Sequence, residues 1–125
     1  MSDSSGGAPR GRVLVVEHDQ QRGRLVEKML RRRGLQPQRV GSGVEALLVL
    51  REQEVELVIT EADLSDMGGE ELITAVRRTG RRCRTALLGG DPAGAQGLAD
   101  AHFPHPLSLV ALGHFAAPPR PDTEG

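Results

Sequence analysis

Four carboxylates and two histidines fall where this 125-residue chain could do chemistry. Glu17-His18-Asp19 follows the apolar run Val13-Leu14-Val15-Val16, Glu61 and Asp63 follow Leu57-Val58-Ile59-Thr60, and His105 precedes Pro106. Oxygen donors of this kind can hold Mg²⁺, which takes one or two protein carboxylates and keeps several waters. With His18, His105 and His102 added, the set would suit Zn or Mn. The spacing matches no zinc signature, so salt-bridged histidines are the simpler reading. A cation held among carboxylates is also what phosphoryl transfer requires, since positioned charge stabilises the developing phosphate oxygens.

Elements with alternating periodicities must position these groups. Val13–Val16 is β-branched and wholly apolar, as expected of a parallel strand buried on both faces. Asp19 can cap a helix over 20–33, with Leu25, Val26, Met29 and Leu30 on its inward stripe and Gly34 ending it. A weak strand around 35–40 contains Pro37, which lacks a ladder donor and therefore belongs at a sheet edge. Ser42 and Gly43 open a helix over 44–52, with Ala46, Leu47 and Leu50 inward. The strand 55–61 ends at Glu61, and a Gly68-Gly69 hinge leads into a helix over 70–79. A strand at 85–88, a short helix starting at Asp91-Pro92, a brief strand at His102-Phe103 and a helix from Ser108 to Phe115 complete the pattern. Five strands alternating with five helices predict an α/β fold, with a parallel sheet covered on both faces. In such sheets functional groups gather at the carboxyl ends of the strands, near the switch in strand order. Glu17, Asp19, Glu61 and Asp63 are therefore expected to converge on one crevice.

Residues 12–115 are similar to bacterial receiver domains, the phosphorylation-controlled modules of two-component response regulators. The resemblance rests on Val-Leu-Val-Val before acidic residues, Gly43 with Glu45-Ala46-Leu47, Leu64-Ser65-Asp66-Met67-Gly68-Gly69 after the third strand, and His105-Pro106. It implies a flavodoxin-like (βα)5 receiver fold, with a five-stranded parallel sheet in order 2-1-3-4-5. It also implies that Glu61 stands where the family has its phosphoacceptor aspartate. Glu17 and His18 stand at the metal-binding acidic pair, Gly89 at the switch hydroxyl, and His105 at a lysine whose bond to the following proline is often cis. Ser65 replaces a usual proline. The interval from Gly89 to His105 is short for the family, implying shortened fourth and fifth helices.

These departures compound. A glutamate carboxyl reaches about 1.5 Å further than an aspartate's, and misplacements of that order matter for in-line attack. With Gly89, an acyl phosphate would have no hydroxyl to draw inward. Of the 16 basic residues only Lys28 is a lysine, and it lies mid-helix. When protonated, His105 can replace the missing cation beside Glu61, which makes that pairing sensitive to pH. Asp63 or Asp66 could serve as a relocated acceptor, although loop aspartates more often shape turns.

The sequence therefore predicts a non-catalytic pseudo-receiver, an adaptor that signals through protein–protein contact without phosphorylation. Its interaction face is expected around the last two helices: Leu98, Phe103, Leu107, Leu109, Val110 and Phe115. The partner would be a signalling protein or a second copy of the chain. The alternatives are an atypical phospho-receiver served by a histidine kinase through a relocated aspartate, and a His/carboxylate metal sensor. No cofactor is required on this reading; Glu17, His18, Asp19 and Asp63 could bind Mg²⁺ weakly.

Other classes find little support. A net charge of −1 with only two aromatic residues argues against nucleic acid. The arginine runs 31–33 and 77–84 end helices, where cations complement the dipole. Gly89-Gly90 lacks the lysine of a phosphate-binding loop, and no Ser/His/Asp order suggests an enzyme. The single Cys83 fits a reducing cytoplasm and an inert thiol. No apolar run approaches a membrane span. Residues 1–11 and 117–125 are polar, Pro/Gly-rich and expected as disordered tails around a domain of 12–116.

Overall fold

The computed structural model of the chain describes residues 11–91 and 97–117. Its elements run β1 (Arg12–Val16), α1 (Gln20–Arg32), β2 (Gln36–Val40), α2 (Gly43–Glu52), β3 (Leu57–Glu61), α3 (Gly69–Arg78), β4 (Arg84–Leu88), β5 (Ala101–Phe103) and α4 (Leu109–Ala116). All strand pairs are parallel, in the order β2-β1-β3-β4-β5. This is the flavodoxin-like strand order expected, with β2 at the edge where Pro37 placed it.

Strand alternation divides the core into two layers. Val13, Val15, Leu57, Ile59, Ala86 and Leu88 face one side, against Val26 and Leu30 of α1 and Leu112 and Ala116 of α4. Leu14, Val16 and Val58 face the other, against Ala46 and Leu50 of α2 and Leu72 and Val76 of α3. β3 is buried along its whole length and β1 from Val13 onward, because both layers are filled. An aliphatic core suffices: burying each such side chain contributes roughly 1.5–3 kcal/mol.

The helices start where the capping residues predict. Asp19 accepts hydrogen bonds from the Gln21 and Arg22 amides, Ser42 from Glu45, and Ser108 from Ala111. Leu25 departs from expectation. It is 55% exposed, because the buried line of α1 runs through Gly23, Val26 and Leu30, and Leu25 sits ~100° around the axis from Val26. The helix expected from Asp91-Pro92 falls largely on residues 92–96, outside the described ones, and residues 97–100 form turns and bends. The expected tails also lie outside, except for Ala117 and Gly11. Gly11 is buried, and its carbonyl accepts from the Gln36 amide at 2.8 Å. No helix among the described residues is long and apolar enough to cross a membrane.

The arginine runs close helices. Arg84 donates to the carbonyls of Phe115 (2.7 Å) and Ala116 (3.1 Å) at the end of α4, and its guanidinium lies 4.8 Å from the Phe115 ring centre. Arg81 donates to the carbonyl of Gln53 beyond α2 at 2.9 Å. Arg77 bonds the Leu98 carbonyl and pairs with Asp100. Three of these arginines thus bind protein groups.

Candidate functional site

The carboxyl ends of β1, β3 and β4 and the link from β5 to α4 meet at one crevice. Glu61 ends β3 and is only 7% exposed. Gly69 brings α3 close behind it: a Cβ at Gly69 would stand 2.2 Å from the Glu61 carbonyl oxygen. Glu17 is 2% exposed and its Oε2 accepts from the Asp19 amide at 3.2 Å, winding the loop into α1. The Glu17 carbonyl is fixed from outside by Arg39 of β2, whose Nη1 donates to it at 2.6 Å. Arg39 reaches it by lying across Gly23, where a Cβ would stand 2.2 Å from the Arg39 Cδ. A glycine inside a helix signals such a close approach, but sequence alone does not say which side chain uses the space.

An imidazole and a guanidinium approach the two oxygens of Glu61. His105 Nε2 lies 3.4 Å from Oε1, and Arg22 Nη1 lies 3.6 Å from Oε2. Oε2 is buried and has no hydrogen-bond partner among the described residues. Burial, followed by the neighbouring Glu17 carboxyl, pushes the Glu61 pKa up to about 8, against the pull of Arg22. The raised value favours the protonated form of the group.

His105 also packs on Gly89. Gly89 has φ +77°, and a Cβ there would meet the Cδ2 and Nε2 of His105 at 2.7 Å. His102 Nε2 bonds the Gly89 carbonyl, and the Gly89 amide donates to the Phe103 carbonyl at 2.9 Å. The His105-Pro106 bond is cis.

The other acidic residues are turned elsewhere. Asp19 is held by the amides of Arg22 and Gln21, which lower its pKa, and so serves α1 as its cap. Asp63 is exposed and forms an isolated antiparallel bridge with Gly68. His18 is exposed, 3.9 Å from Glu17. Asp66 accepts from the Gly43 amide at 3.0 Å and the Val44 amide at 2.9 Å, clamping the loop after β3 to the start of α2. Those two bonds hold its pKa below the usual carboxylate range. Glu17 and Glu61 are thus brought together, His18 approaches Glu17, and Asp19 shares Arg22 with Glu61, while Asp66 makes its bonds to the start of α2.

With Arg22 in place these residues do not fit a divalent ion of the kind the resemblance implies. The orphaned Oε2 of Glu61 faces a guanidinium, Asp19 is committed to its helix, and no group of three His, Cys, Asp or Glu residues among the described ones could hold a metal. Of the residues expected to form an interaction face, Val110 is 66% exposed. Phe103, Leu107, Leu109 and Phe115 are half-buried against the α1/α4 layer, and Leu98 against Ile73 and Leu87.

A family profile described as response regulator receiver domain matches residues 13–96. Solved structures agree over the full fold. The receiver domain of a Francisella response regulator superposes with a TM-score of 0.78 at 16% identity, covering 86% of this chain and 93% of that one. A sensor protein from Polaromonas sp. JS666 gives 0.78 at 25% identity, covering 86% and 94%. A chemotaxis response regulator of Vibrio cholerae gives 0.76 at 20% identity, covering 85% and 98%. No curated protein sequence matches the chain.

Proposed function

The chain belongs to the response regulator receiver domain family of two-component signalling, and from that premise we propose that it is a pseudo-receiver acting by protein contact without accepting phosphate. One observation carries this reading: Glu61, Gly89 and His105, which the resemblance puts at the acceptor, hydroxyl and cation positions, pack on one another. The His105 ring occupies the space a side chain at 89 would need, while its Nε2 faces Glu61 at 3.4 Å. A carboxyl whose pKa is raised by burial, with no hydroxyl opposite, is a poor nucleophile toward a phosphoryl donor.

Asp66 is a weak substitute acceptor because both its oxygens are bonded to the amides of α2. Asp63 is exposed and free of such bonds to amides among those described, so it is the aspartate to watch. As an adaptor the domain performs no reaction and needs no metal. Its partner would be a signalling protein that docks near α4, where Val110 stands exposed.

The test is intact mass after incubation with Mg²⁺ and acetyl phosphate, beside a competent receiver. The expected result is no adduct on this chain and one on the control. An adduct mapped to Asp63, Asp66 or Glu61 would replace the adaptor reading with a phospho-switch.

A further inference from the structure

The approach of Arg22 to Glu61 has no counterpart among the residues that carry the family resemblance. Arg22 comes from the first turn of α1, which Asp19 fixes by accepting from the Arg22 amide at 3.2 Å. Its Nε lies 3.8 Å from Asp19 Oδ2 while its Nη1 lies 3.6 Å from Glu61 Oε2. One guanidinium thus bridges carboxylates from β3 and from the start of α1. Arg22 also borders a cavity of about 260 Å³ whose lining includes Glu17, Val26, His105, Leu107 and Leu109. The Oε2 it faces is the only buried side-chain oxygen or nitrogen among the described residues that has no hydrogen-bond partner.

We propose that Arg22 is the resident cation of this crevice, a built-in guanidinium that stands in for a divalent ion and keeps one out. The inference goes beyond the adaptor reading and does not depend on it. A Mg²⁺ ligated by Oε2 would lie ~2.1 Å from that oxygen. The guanidinium would then be only a few ångströms from the ion, with like charge. Arg22 is half-exposed, so the repulsion is screened, but a divalent ion doubles it.

Replacing Arg22 should therefore open the crevice to metal. MgCl₂ and MnCl₂ would be titrated into the whole chain and its R22A and R22Q variants. Calorimetry and Mn²⁺ relaxation enhancement would report binding, with broadening of the residue 17–19 and 61–63 amide signals to locate the ion. The expected result is binding by R22A and R22Q that is at least about tenfold tighter than by the native chain, the order expected for removing one cation ~4 Å from the ion. R22K keeps a cation and should behave as the native chain does. R22Q preserves length and polarity and decides the question if R22A does not fold. Equal binding by native and R22Q proteins, no binding by either, or R22K binding as tightly as R22Q would each overturn the proposal. None of these outcomes bears on the phosphate adduct, so this proposal and the adaptor reading can fail separately.

Discussion

Gly89 and His105 are a matched pair: the imidazole lies where the first side-chain carbon of any other residue at 89 would have to go, 2.7 Å from it. The backbone at 89, with φ +77°, is itself one that L side chains rarely adopt. Restoring a hydroxyl there in G89S should destabilise the domain by about 1–2 kcal/mol from backbone strain alone, with the clash in addition. Adding H105A to G89S should recover the clash but not the strain. Urea unfolding of the two single variants and the double would show a coupling of at least about 0.5 kcal/mol. Additive losses would mean that the two positions are independent.

Glu61 makes stability fall as pH rises. Its pKa lies at about 8 in the folded domain against an ordinary 4.5, so between those values the folded state binds the extra proton. Its contribution is whole below about pH 4.5 and is lost as pH climbs through 8. The slope from this one group cannot exceed about 1.4 kcal/mol per pH unit. E61Q, which cannot ionise, should flatten the curve of unfolding midpoint against pH across that window and be the more stable form at its upper end. Parallel curves for the two proteins would refute the raised carboxyl.

Asp66 should behave with the opposite sign. Its two amide bonds lower its pKa, so the stability it gives is present above the ordinary carboxylate range and lost as pH falls below it. D66A should lower the urea midpoint at pH 7 and speed hydrogen exchange at the Gly43 and Val44 amides. D66N, which keeps one acceptor oxygen, should lose less. An unchanged exchange rate in D66A would mean that Ser42 alone holds the start of α2.

Arg84 joins the last helix to the middle of the sheet. Losing two donors to the Phe115 and Ala116 carbonyls and the contact with the Phe115 ring, R84A should cost about 1–3 kcal/mol. R84K, with a point charge and no planar fork, should recover only part of that. Thermal unfolding followed by circular dichroism would rank the three proteins, and R84K at the level of native would point to charge alone.

The strands were legible because burial on both faces demands continuous apolar runs, and Val13–Val16 and Leu57–Ile59 supply them. Capping chemistry located the helix starts at Asp19, Ser42 and Ser108, since each solves a local problem of unpaired amides. Strand order brought Glu17 and Glu61 to one place, and the family resemblance added Gly89 and His105. What eluded the sequence were contacts between side chains far apart in the chain. Nothing local announces that Arg39 lies over Gly23 to reach Glu17, that Asp66 caps a helix more than twenty residues earlier, or that Arg22 turns toward Glu61. Nor does the sequence say which amides a carboxylate will cap: Asp19 takes those at the start of its own helix, while Asp66 takes those of Gly43 and Val44.

Pro37 has a consequence for association between copies. In β2 the Gln36 amide donates inward to Gly11, and the Val40 carbonyl accepts inward from Glu17. By alternation the backbone groups of residues 37 and 39 point away from the sheet. Proline at 37 removes one of the only two outward donors that β2 could offer. A strand arriving from another molecule would find a single amide, that of Arg39, on a flank carrying a charged side chain. The opposite flank, β5, is three residues long. Neither side is a good template for strand addition, which guards a highly aliphatic sheet against growing into a fibre.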